Sequence, residues 1–246
     1  MLRQYYAILS LVKDYGITPE DSYVAELIDA NIKAAMEEYG DEKAFVEALR
    51  QEYMTYNVYR FLESCSVCQN ELFYAMLQDT TIVKSDEFLK SYFRSDEVIR
   101  IKQILIDPSE YESREEALAV AETVLAAARR GEDFDGLVNR YGDDLYMFKN
   151  TDGYYMMRGV RYEAFEEAAF ALTIGEISDI VTTPAGYSII LRLEKEESYL
   201  NAHFAELKND YYDALFSLAI EKRAADMTVK TMDAFNKYTL FTMKME

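Results

Sequence analysis

The sequence predicts an α+β protein, helical at both ends with a mixed segment between them. Three observations predict it. Seven of the nine glycines lie between Gly131 and Gly186, whereas residues 1–95 hold only Gly16 and Gly40, so tight turns concentrate in the middle. At Val98 the apolar period changes from helical to alternating. After Glu197 the helical period returns.

The elements follow in order. MLRQYYAILSLVKDYG reads as an amphipathic helix. Thr18-Pro19-Glu20-Asp21 is a helix start, with Thr18 as cap, Pro19 at the first helical position and acids facing the positive helix end; this helix runs to about Gly40. Asp41 opens another helix, Thr55 a longer one through Gln78, and Ser85 a short one ending near Phe93. Phe61, Leu62, Cys65, Cys68, Leu72 and Met76 form an apolar stripe, read as core or partner-facing.

VIRIKQILI alternates and is β-branched, a strand. SREEALAVAETVLAAARRGEDF is a helix capped by Ser113, with Glu116 at the capping-box position and Gly131 as stop. FDGLVNRYG is a short second helix, and DDLYMFKNTDGYYMMRG a loop running into a short strand. YEAFEEAAFAL is a third helix, and ISDIV and GYSIILRL are closing strands. Helix resumes from about Tyr199 to Met227, followed by TVKTMDAFNKYTLF. The expected divisions are 1–96 helical, 97–197 mixed and 198–246 helical.

Composition bounds the function. The 246 residues suit one large domain or two modest ones, and 50% hydrophobic content makes the chain globular. A formal charge of −19 argues against electrostatic binding to nucleic acid or anionic membrane surfaces. No apolar run approaches the roughly 20 residues that span a bilayer, and the opening has no small-residue cleavage site. A chain already freed of its export signal looks the same. Cys65 and Cys68 are the only cysteines. Two thiols and His203 are too few for a structural zinc, and CSVC inside a helical pattern is not a thioredoxin-like motif. Two small buried side chains is the first reading, a helix-embedded disulfide the second.

IRIKQILI, ARRGEDFDGLVNRYGDD, AFEEAAFALTIGEISDIV and GYSIILRL, in that order and spacing, resemble a parvulin-type peptidyl-prolyl isomerase domain. The flanks YGITPEDSYVAELIDANIKAAMEEYGDEKAFVEALRQEYM and IVKSDEFLKSYFRSDE resemble the helical chaperone domain of PrsA/SurA-like foldases. The resemblance implies a small, mostly antiparallel sheet with about three helices, inserted into a helical chaperone domain that residues 198–246 return to complete. It also implies an extracytoplasmic protein, membrane-anchored in its full-length precursor, whose partners are unfolded or partly folded polypeptides and their X–Pro segments. A homodimer is compatible with this reading.

Such a domain needs no cofactor or metal. An X–Pro bond turns over a barrier of about 18–20 kcal/mol, and a catalyst need only bind the twisted amide better than either planar form. The resemblance places Phe165 and Met156 in an apolar proline pocket, with Arg161 where an apolar residue is usual. It sets Asp144 against the reacting amide; from the residues alone, Asp144 is a turn cap or a solvated carboxylate. It puts Gln103 and Ser188 where the family has histidines on two neighbouring strands. Gln and Ser hydrogen-bond but do not titrate. His203, the only histidine, lies outside the domain and reads as a helix-surface residue. The expectation is therefore a foldase that isomerises X–Pro bonds through Asp144, Gln103 and Ser188. The alternatives are a catalytically degenerate domain serving a holdase, with tyrosines such as Tyr5, Tyr6, Tyr53, Tyr56 and Tyr59 near its apolar stripes, and a scaffold for one dedicated partner.

Overall fold

A computed structural model describes residues 2–228 and 230. The end of the last segment, in TVKTMDAFNKYTLF, lies outside the described residues. The chain folds as two compact units: one holds residues 2–83 and the described residues from Phe216 onward, the other residues 84–215. The change of apolar period divides the chain at 96/97 and 197/198 instead, so the helices flanking the sheet count here with the sheet.

The first unit is helical: α1 (Leu2–Asp14), α2 (Ser22–Glu38), α3 (Glu42–Gln51) and α4 (Tyr56–Gln78), joined by the end of a later helix. Local cap chemistry sets several starts. The Asp41 carboxylate accepts from Ala44 N at 2.8 Å, and Thr55 Oγ1 accepts from Val58 N at 3.3 Å. The second helix starts later than Thr18-Pro19 suggests. Asp21 turns its carboxylate back onto Thr18 N at 2.7 Å, making 18–21 a turn rather than a first helical turn. Ile8 and Val12, Ile28 and Ile32, and Cys68 and Leu72 meet in one buried cluster with Phe216 and Ile220.

The second unit opens with α5 (Asp86–Arg94), capped by Ser85, and continues through β1 (Val98–Ile106), a 3₁₀ turn (Pro108–Glu110) and α6 (Arg114–Arg129). Then come α7 (Phe134–Tyr141), α8 (Leu145–Lys149), β2 (Tyr154–Met157), α9 (Glu163–Ala171), β3 (Val181–Thr183) and β4 (Gly186–Leu193). The final stretch is not one helix but α10 (Glu197–Ala202) and α11 (Phe204–Ala225), parted at His203. The sheet is wholly antiparallel in the order β2-β1-β4-β3.

Register assigns the faces, because side chains alternate along a strand. Ile99, Ile101 and Gln103 share one face with Tyr154, Met156, Ser188 and Ile190. Arg100, Lys102 and Ile104 share the other with Tyr155, Tyr187 and Ile189. That second face lies under α6 and α7: Lys102 Nζ donates to Asp135 at 2.6 Å, and Ile104, Ile189, Ala117, Ala121 and Val124 are fully buried. Gly186 makes the turn into β4 at φ +134°, where a Cβ would stand 2.3 Å from the Ile106 carbonyl oxygen. Both the conformation and the space demand glycine. Gly186→Ala is expected to destabilise the second unit by at least about 1 kcal/mol, measured by urea unfolding.

Candidate active site

The first face of the sheet carries the predicted site. Gln103, 6% exposed, projects from the middle of β1 and donates from Nε2 to Asp144 Oδ2 at 2.6 Å. Asp144 is held from its other oxygen: Oδ1 accepts from Tyr146 N at 2.9 Å, capping α8. The preceding residue pins the same loop to the strand end. Asp143 N donates to the Leu105 carbonyl and its carboxylate accepts from Asp107 N, both at 2.8 Å. The segment expected as a loop thus contains a short helix beyond the three expected, nucleated by the residue expected to do chemistry.

Ser188 lies opposite Leu105 on β4, while Gln103 lies opposite Ile190. The two are diagonal neighbours on one face, about 7–8 Å apart by sheet geometry. No hydrogen bond joins Ser188 to Gln103 or Asp144 among the described residues. The structure brings Gln103 and Asp144 together and leaves Ser188 beside them.

Met156 and Phe165 are 1% and 4% exposed, buried in the same core cluster. Arg161 is exposed, and its guanidinium carbon stands 5.5 Å from the centroid of the Tyr154 ring. Its loop is fixed by Glu166 of α9, whose carboxylate accepts from Gly159 N at 2.8 Å, Val160 N at 2.7 Å and Arg161 N at 2.8 Å. Around this site Leu145, Tyr146, Phe148, Val160 and Tyr162 are exposed, an apolar rim on α8 and the loop before α9.

Comparison with known proteins gives the family. Residues 103–194 match the rotamase family, a PPIC-type PPIASE domain, and that span holds all six predicted site residues. The foldase protein PrsA of Caldanaerobacter subterraneus subsp. tengcongensis is 32% identical over 181 residues, 72% of this chain and 51% of that protein. Residues 103–194 form a parvulin-type PPIase domain, and the chain around them is similar to PrsA foldases. The foldase protein PrsA of Bacillus subtilis is 34% identical over 122 residues, 46% of this chain and 41% of its own length. The PrsA-like chain therefore spans about half the length of these two relatives. A crystal structure of foldase protein PrsA from Streptococcus pneumoniae covers 95% of this chain and 88% of its own at a TM-score of 0.46 and 22% identity. That superposition is too loose to bear on the site.

Elsewhere in the PrsA-like chain, Cys65 and Cys68 are free and buried, and burial pushes both thiols up to about 11. Neither is expected to react with a thiol reagent until the protein unfolds, a test by Ellman titration with and without denaturant. Among the described residues no cluster of three His, Cys, Asp or Glu side chains could hold a metal, and no helix is long and apolar enough to cross a membrane. His203 ends α10, stacked on Tyr199 with ring centroids 4.2 Å apart.

Sequence reasoning missed Glu166 and Tyr154. Glu166 stands one residue past Phe165, and nothing in its neighbourhood signals a three-amide anchor. Tyr154 was reachable: period two places it on the face of Met156, two residues on.

Proposed function

We propose that this protein is an extracytoplasmic foldase whose parvulin-type domain isomerises X–Pro bonds in unfolded or partly folded polypeptides. The observation that carries the reading is the 2.6 Å Gln103–Asp144 hydrogen bond on the sheet face that also bears Met156 and Ser188. An amide turning about its C–N bond loses resonance, so its nitrogen lone pair localises and its carbonyl becomes less polar. Fixed polar groups beside an apolar proline site favour that state without forming any covalent bond. Gln103 spends one N–H on Asp144 and keeps a carbonyl and a second N–H for the substrate backbone. The exposed apolar rim suits an extended, unfolded client. The chaperone part comprises residues 1–96 and 198–246, the isomerase part 97–197. The full-length precursor is membrane-anchored, and a homodimer fits the same reading.

Refolding of a substrate limited by one cis-proline tests this. Catalytic amounts of protein are expected to shorten the slow phase, and light scattering of a denatured client to fall in its presence. An unchanged slow phase would remove the isomerase. Neither Gln103 nor Ser188 titrates, so the pH–rate profile is expected to lack the step near about pH 6.5 that a histidine would give.

One observation favours a second reading, a degenerate domain that binds clients without turning them over. Met156 and Phe165 are almost inaccessible, so the proline site must open to work. Client protection with no change in the slow phase would select it.

A further inference from the structure

Two adjacent tyrosines on β2 are treated oppositely by the fold. Tyr155 points to the second sheet face, where its hydroxyl accepts from Glu196 N at 3.0 Å and donates to Glu196 O at 3.3 Å. Tyr154 points to the site face and is 5% exposed, yet its hydroxyl has no hydrogen-bond partner among the described residues. Burying a hydroxyl unpaired costs stability, and native structures seldom leave one so without a reason.

Its surroundings supply one. Tyr154 pairs with Ile101 in the register, so it sits one row along from Gln103 on the same face, within the field of the Asp144 carboxylate. The Tyr146 ring meets it edge-on with centroids 5.3 Å apart, and Arg161 stands over it. Tyr146 and Arg161 are exposed side chains on short loop-borne elements, so a ligand can displace them without disturbing the sheet. Among the described residues the other unpaired buried side-chain group, the Arg192 guanidinium, lies on the same row on the β4 side of Ile101.

We propose that the Tyr154 hydroxyl is a catalytic residue of this site, donating a hydrogen bond to the prolyl nitrogen as the amide leaves planarity. In the planar substrate that nitrogen is no acceptor; only the twisted state offers a lone pair, so the bond forms where it lowers the barrier. Burial keeps the proton in place, pushing the hydroxyl up to about 12, with Asp144 adding to the shift and Arg161 opposing it. A neutral donor of this kind works at constant strength through the physiological range.

The inference rests on the isomerase reading, and one set of variants separates them. Parent, Tyr154→Phe and Tyr155→Phe are compared for kcat/KM on a proline peptide and for melting temperature. Tyr154→Phe is expected to lose about tenfold in kcat/KM, the worth of one hydrogen bond, with its melting temperature unchanged or raised. Tyr155→Phe is expected to melt lower and keep the parent kcat/KM. An active parent with Tyr154→Phe equally active overturns the inference alone, as does a Tyr154→Phe that melts lower, like Tyr155→Phe. An inactive parent overturns the isomerase reading and the inference with it.

Discussion

Asp144→Ala is expected to lower kcat/KM for prolyl isomerisation by about 100-fold, the scale of losing one fixed electrostatic group from a catalytic site. The substitution removes the acceptor that holds Gln103 at 2.6 Å and the cap that starts α8. Losing the cap alone costs about 1 kcal/mol of stability, which leaves the domain folded. Asp144→Asn retains capping ability and volume but not charge, so it separates the two effects: melting as the parent, activity near the alanine variant. Gln103→Leu keeps volume and leaves the carboxylate without its partner. Because the two residues act as one unit, the double variant is expected to be no slower than Asp144→Ala alone. Additive losses would show that they act separately.

The second large effect is on stability. Arg100 sits on the opposite face of β1, 6% exposed, and its guanidinium gathers three carbonyl-side bonds. Nε and Nη2 donate to the Asp152 carbonyl at 3.0 and 2.6 Å, and Nη1 donates to the Glu194 carbonyl at 3.1 Å. Nη1 also meets the Glu196 carboxylate at 2.6 Å, though that acceptor is exposed and screened. The guanidinium carbon lies 5.3 Å from the Tyr199 ring centroid. One side chain thus ties the strand to the turn before β2 and to the chain leaving β4. Arg100→Met leaves two carbonyls without their donors and is expected to cost about 3 kcal/mol, with melting of this unit on the order of 10 °C lower. Arg100→Lys recovers only part, since an ammonium cannot span the fork. Arg94→Ala, which breaks the exposed pair with Glu197, is expected to leave melting nearly unmoved. Equal effects of Arg94 and Arg100 substitutions would contradict this ranking.

How far the fold was legible follows from the range of each cause. Asp41, Thr55, Ser85 and Ser113 were readable as caps because each bonds an amide three residues on, within one stretch of sequence. The two long core strands were readable from alternation and β-branching, while their antiparallel pairing came from the resemblance. ISDIV was not. Its Ser178 hydroxyl accepts from Ile190 N at 2.9 Å, taking the place of a ladder carbonyl, so only Ile177 makes an isolated bridge there and the regular strand begins at Val181. Thr18-Pro19 misled because Asp21 could turn either way along the chain. At the site, the residues of Gln103 and Asp144 lie far apart in sequence, and nothing local joins them; family resemblance did. Ser188, quoted by the same resemblance, lands on the face of Gln103 but outside the hydrogen-bonded pair, because register and side-chain reach are decided only once the strands have paired.

The histidine-free Gln103–Asp144 pair is expected still to turn a prolyl bond. Exchange NMR on a short X–Pro peptide, with the unmodified protein added at a small fraction of the peptide concentration, measures it without coupling enzymes. Cis–trans exchange within the sub-second mixing time is expected, lost when Asp144→Ala replaces the parent. Exchange that stays at the uncatalysed tens of seconds, with the parent folded and present, would contradict it.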